Sequence, residues 1–298
     1  MGANAVELTA EQAWFVAESA GAGYFPWVLA ITPPYADESL RPVFEARMRA
    51  ELSELGVMVT DRVTAPVTRW VTTACRPTRW LELRFVSGSG DMLRGLVARR
   101  GRQERDGHSG DDVVVALRNG GLVTFSHVDV DHPQALVPVL TAGLSGRPPA
   151  SFAEFAVAAR IGAKADERLR NGAALADVVE NLGIPAGARH VVEAAFAPDR
   201  CYVEIVAGDH RDGHRVSTEV GVSIVDTSAG RVLVSPSKAY DGEWVSTFAP
   251  GTPLAIAAAV ERLTATLPDG EWFPEAHLTR DFDQRTEDQR CPTPSRRA

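Results

Sequence analysis

The chain has 298 residues, a formal net charge of −8 at pH 7, 45% hydrophobic residues and 23% charged residues. That length suits two domain-sized halves or one large α/β unit, and the composition excludes a chain disordered throughout. The acidic balance argues against a nucleic-acid binder held by phosphate contacts; all but two of the 31 basic residues, Lys164 and Lys238, are arginine.

Thr9, with Gln12 three residues on, predicts a capping box that opens a helix ending at Gly21. Tyr24 to Ile31 reads as a buried strand closed by Pro33-Pro34. Glu38 to Leu55 places Leu40, Phe44, Met48, Leu52 and Leu55 at helical spacing, with Gly56 as the stop. A helix follows from about Pro66 to Ala74. Strands come next at Trp80–Val86, Met92–Arg99, Asp112–Leu117 and Leu122–Val128, the last two joined through Asn119-Gly120. Pro133 then opens a helix to Leu144.

The second half repeats this order. Helices are expected at Ala165–Leu182 and Gly187–Phe196, strands at Cys201–Ala207, Val216–Val225, Arg231–Ser235 and Trp244–Phe248, and a last helix from Pro253 to Leu267. Pro77-Thr78-Arg79 and Pro198-Asp199-Arg200 lie 121 residues apart, and Pro133 and Pro253 lie 120 apart. A nearly constant offset predicts two α-β-α halves, about 1–150 and 151–283, in one pseudo-twofold domain. Arg99 to Gly110 is a polar, glycine-punctuated insertion expected to be mobile, and residues 284–298 read as a disordered tail.

Few residues invite chemistry. His127, Asp129 and Asp131 would share one strand face and suit a metal-dependent enzyme; the competing reading is a strand end with Asp131 as N-cap before Pro133. Gly208 to His214 reads as a turn. Ser87 and Ser89 fail the G-x-S-x-G pattern, and neither a dinucleotide fingerprint nor a phosphate loop is present. Cys75, Cys201 and Cys291 form no C-x-x-C pair. No apolar run is long enough for a membrane helix and no signal peptide is recognised, so the expectation is a soluble cytoplasmic protein without membrane insertion. Along Val216–Val225 and Arg231–Ser235, alternation leaves Glu219, Ser223, Arg231 and Ser235 opposite the valine core. That face is smooth enough for a partner helix.

Several segments carry a specific resemblance. Asn4-Ala5-Val6-Glu7-Leu8-Thr9, Phe25-Pro26-Trp27-Val28-Leu29-Ala30-Ile31, Tyr202-Val203-Glu204-Ile205-Val206-Ala207-Gly208 and Asp241-Gly242-Glu243-Trp244-Val245-Ser246-Thr247-Phe248 are similar to the EspG family. The likeness spans about residues 1–283 and is strongest to the branch serving the third type VII (ESX) secretion system. The resemblance implies an α+β fold of quasi-twofold halves around a largely antiparallel sheet. It also implies a mycobacterial cytosolic chaperone without catalysis or cofactor. Such a chaperone covers the helical tip of the PPE subunit in a PE–PPE heterodimer, and it admits a weak homodimer. The family's binding surface comprises the central sheet, a C-terminal helical bundle and the hairpin loop matched by Arg99–Gly110. The partner-binding residues expected here are therefore Glu219, Ser223, Arg231 and Ser235 with Arg99, Arg100 and Arg102.

Overall fold

The computed structural model describes residues 4–101, 112–211, 214–267 and 272. Of the expected mobile insertion Arg99–Gly110, Arg99 and Arg100 instead end a strand, while residues 102–110 and the expected tail at 284–298 lie outside the described residues. In chain order the helices are α1 (Ala10–Ser19), α2 (Arg41–Glu54), α3 (Ala65–Cys75), α4 (Val137–Leu140), α5 (Ala159–Arg170), α6 (Leu175–Asn181), α7 (Ala186–Phe196) and α8 (Pro253–Ala265). A small hairpin, β2 (Met58–Val59) with β3 (Arg62–Val63), stands apart from the main sheet.

The other strands are β1 (Ala5–Thr9), β4 (Arg79–Val86), β5 (Met92–Arg100), β6 (Asp112–Asn119), β7 (Leu122–His127), β8 (Phe155–Ala158), β9 (Cys201–Arg211), β10 (His214–Ser217), β11 (Val222–Thr227), β12 (Gly230–Lys238) and β13 (Trp244–Pro250). They form one antiparallel sheet in the order β1-β7-β6-β5-β4-β9-β11-β12-β13-β8, with β10 paired to β9. From the central β4–β9 pair, each half lays its strands outward in chain order and ends on a short edge strand. This is the order that the 120–121 residue offset predicts.

Strand alternation divides the core between the two faces. On one face Trp80, Leu96, Ala98, Val114, Ala116 and Phe125 pack beneath α1, α2 and α3, while Val225 and Val232 pack beneath α7. On the other, Leu81, Leu83, Phe85, Val203, Ile205 and Ile224 pack against α4 and α8 through Leu136, Leu140, Ile256 and Val260. The Thr9–Gln12 capping box is formed on both sides, with Gln12 N–H donating to Thr9 Oγ1 at 3.1 Å and Thr9 N–H donating to Gln12 Oε1 at 2.9 Å. At the end of α3, burial pushes the Cys75 thiol up to about 12. The thiol stays protonated through neutral pH, so alkylation of Cys75 at pH 8 should be on the order of a hundredfold slower in the native protein than in urea. Equal rates, read by mass spectrometry, would contradict this.

Several expected elements differ. Tyr24 to Ile31 is not a strand but a loop around a 3-10 turn at Trp27–Leu29, with Ala30 left-handed at φ 49°. Its carbonyls are taken by arginines of the sheet below rather than by a neighbouring strand. Ala165–Leu182 is two helices, because Gly172 adopts φ +87° and closes α5. The helix from Pro133 is one 3-10 turn followed by the short α4. Its cap is His132, whose Nδ1 accepts from Gln134 N–H at 3.2 Å, and not Asp131. Val216–Val225 is interrupted. Both β10 and β11 pair with the same edge of β9, and the residues between them, Thr218 to Gly221, bulge outward opposite Val206 and Ala207. Gly221 passes so close to β9 that a Cβ would lie 2.8 Å from the Ile205 carbonyl oxygen.

Candidate functional site

The helices leave one part of the sheet open. On the face that carries α3 and α7, α3 packs over β5, β6 and β7, and α7 packs over β11 and β12. Between them the central strands β4 and β9 present their side chains upward. The register fixes which ones. Arg118, Arg94, Arg84, Glu204, Ser223 and Val234 form a single cross-strand row from β6 to β12. Glu82 and Val206 form the next row, directly opposite each other on β4 and β9.

The row is graded in character. Arg118 donates to the carbonyls of Leu29, Ala30 and Gly120, the Leu29 contact at 2.7 Å, and Arg94 reaches the Val28 carbonyl at 3.5 Å. Burial, reinforced by Arg94 alongside, lowers the Arg118 pKa; the protein tolerates this because carbonyl oxygens of the 24–31 loop receive the guanidinium. These two arginines hold that loop down as one wall of the open strip. Arg84 faces the strip half-buried and touches Glu82 at 3.3 Å, and Glu204 is exposed at its centre. The other wall is α7, ending at Phe196. Beside it a hollow of about 230 Å³ is lined by Phe196, Arg200, Tyr202, Glu204 and Ser223. Arg200 is fixed there by hydrogen bonds to the Phe196 and Ala197 carbonyls and stacks over the Tyr202 ring at 5.3 Å.

The structure separates the residues that strand alternation had grouped. Ser223 lies on the open strip. Arg231 and Ser235 lie on the opposite face, in line with Leu233, because Ser223 pairs with Val234 and Arg231 with Asp226. Ser235 is buried, and Arg231 makes a two-pronged ion pair with Asp226 at 2.7 and 3.0 Å. Neither is presented to a partner. Glu219 sits exposed on the bulge beside Val206 and lines a groove of about 660 Å³ with Trp244, Lys238, Arg262 and Leu267. Arg100 falls on the same face as Ala98 at one end of the strip, while Arg99 points to the other face and donates to the Trp272 carbonyl. Arg102 lies outside the described residues.

The residues that alternation alone missed are Arg84 and Glu204. They are 120 positions apart in sequence and adjacent in space only because β4 meets β9. The proposed metal cluster does not assemble as a strand face. β7 ends at His127, whose Nε2 lies 3.8 Å from the Asp112 carboxylate, and Asp129 and Asp131 follow outside the strand. Among the described residues no three His, Cys, Asp or Glu side chains converge as a metal site.

The family model described as EspG family matches residues 9–262. The chain is 60% identical to the ESX-3 secretion-associated protein EspG3 of Mycolicibacterium smegmatis, over 100% of this chain and 99% of that protein. It is 56% identical to EspG3 of Mycobacterium tuberculosis, over 95% and 98% of the two chains. A solved structure of the M. tuberculosis type VII secretion system chaperone EspG5, in complex with a PE25–PPE41 dimer, superposes with a TM-score of 0.73. That match has 20% sequence identity and covers 90% of this chain and 98% of that one. At that identity the likeness concerns the fold, helices around a large antiparallel sheet.

Proposed function

The chain belongs to the EspG family, on its ESX-3 side, and from that premise we propose that it is a non-catalytic cytoplasmic chaperone for a PE–PPE heterodimer bound for type VII secretion. The PPE helical tip docks on the open strip of β4, β9 and β11, with residues 1–283 acting as one unit.

The observation that carries this reading is the width and character of that strip. Three strand steps separate Arg94 beneath one wall from Ser223 on β11, the first strand under α7, about 14 Å at normal strand spacing. A helix is about 10–12 Å across, so one helical tip fits between the walls. The floor offers a base, an acid and a hydroxyl at Arg84, Glu204 and Ser223, which can meet polar groups around an apolar tip and reject tips with the wrong charges. Arg100 stands at one end of the strip, while Glu219 lies off it, in the groove beside α8. A secreted helical pair with an exposed apolar tip would aggregate before export, and covering the tip removes that patch.

Co-expression tests the reading. A cognate PE–PPE pair should be soluble and co-purify with the chain in equal amounts, and should fall into the pellet without it. Pairs that are equally soluble alone, and none of which co-purifies, would overturn the proposal.

A further inference from the structure

Resting on that reading, we propose that Trp27 is the anchor on the first-half wall of the cleft: its indole packs against an apolar side chain of the docked helical tip, across the floor from Phe196.

Three observations converge on this residue. The first is exposure. Trp27 is 86% exposed, although its neighbours Val28 and Leu29 are buried in the core. An indole left in water on a packed segment is an unspent apolar surface. Trp is also the side chain most enriched among residues that dominate binding energy.

The second is direction. Arg118 on β6 holds the carbonyls of Leu29 and Ala30, and Arg94 on β5 holds that of Val28. The loop therefore steps across the sheet from β6 towards β5 as its numbering falls. Trp27 opens the same 3-10 turn, its carbonyl accepting from Ala30 N–H at 3.0 Å, and that turn packs on β4, at the border of the open strip, as well as on β5 and β6.

The third is rigidity. Pro26 fixes one side of the turn, Ala30 closes it in the left-handed region, and two arginines clamp the carbonyls between them. An aromatic side chain on a pinned backbone loses little entropy on binding, which favours it as an anchor. Phe196 gives the opposite wall a matching feature. It ends α7, is 38% exposed, and borders the hollow beside Glu204. The two aromatics are not counterparts in the pseudo-repeat, so the cleft is asymmetric and a tip has one preferred orientation in it.

Affinity for a purified PE–PPE pair should be measured for four variants, with melting temperature alongside. Trp27→Ala should bind about 30-fold more weakly or worse and melt like the parent chain. Trp27→Phe should recover most of that loss, and Phe196→Ala should lose affinity as well. Glu204→Arg reports on the surface itself. If Glu204→Arg abolishes binding while Trp27→Ala binds normally, the strip is the site and Trp27 is not its anchor. If both bind normally, the docking surface is overturned with it. Should Trp27→Ala melt lower, the emission of Trp27, taken as the difference between parent and Trp27→Phe spectra, decides the matter. It should shift to the blue when the pair binds, and an unchanged spectrum would overturn the inference.

Discussion

Replacing Asp226 with alanine is expected to destabilise the protein by about 3–5 kcal/mol, the usual cost of breaking one side of a buried ion pair. The Asp226 side chain is fully buried and that of Arg231 is 12% exposed. Both Asp226 oxygens are engaged, Oδ1 by Arg231 Nε and Oδ2 by Arg231 Nη2 and by the backbone N–H of Arg147 at 3.1 Å. Alanine would leave a guanidinium with little water and no counter-charge, and would orphan an amide as well. The site also ties separate parts of the chain together. The Arg231 backbone bonds to Pro148 and Ala150 of the connector between the halves and to Gly251 at the end of β13. A Cβ at Gly251 would collide with the Arg231 side chain, so the backbone there packs directly against it. In a chain of this size the loss should lower the melting temperature by about 10 °C. Asp226→Asn, which keeps an acceptor, should cost less. A loss below 1 kcal/mol for Asp226→Ala, from urea denaturation, would show that the pair is not enclosed as described.

This ion pair takes Arg231 away from the binding face that strand alternation predicts. In Thr227-Ser228-Ala229-Gly230 the hairpin turn is legible, and Thr227 does pair with Gly230, which puts Asp226 directly across from Arg231. The expectation of an exposed face came instead from treating only one side of the sheet as core, whereas α8 covers the side on which Arg231 and Ser235 lie.

Other parts were legible for plain reasons. β4 to β7, β12 and β13 read through as runs of strand-forming residues, and the capping box has a local mechanism; the break between β10 and β11 did not, because it is set by pairing with β9. The edge strands β1 and β8 did not read through: each is short, and each is defined by its pairing with a strand about 90 or more residues away. The 24–31 loop has a strand's composition, and only the arginines beneath it, invisible in the local pattern, satisfy its carbonyls another way. The open strip has the same character. Ser223 was within reach of alternation, but Arg84 and Glu204 meet across the seam of the two halves, and no local periodicity reports which strands form that seam.

The larger effect on function is expected at Glu204. Its carboxylate is exposed at the centre of the floor, between Arg84 and Ser223, so arginine there should leave the fold intact. The same change would put two guanidinium groups side by side where the tip must seat, replacing an acceptor with a bulky base. Reversing a charge inside a contact that excludes water typically costs about 2–5 kcal/mol or more. Leu254→Arg supplies the control. Leu254 is 56% exposed on α8, the helix that covers the opposite face, so an equally drastic change there should not touch the partner. The decisive measurement is the affinity of the two variants for a cognate PE–PPE pair, made on samples whose melting temperatures match the parent chain. Glu204→Arg should lose capture of the pair while Leu254→Arg retains it. Normal capture by Glu204→Arg, or loss confined to Leu254→Arg, would contradict the placement of the partner on the central sheet between Trp27 and α7.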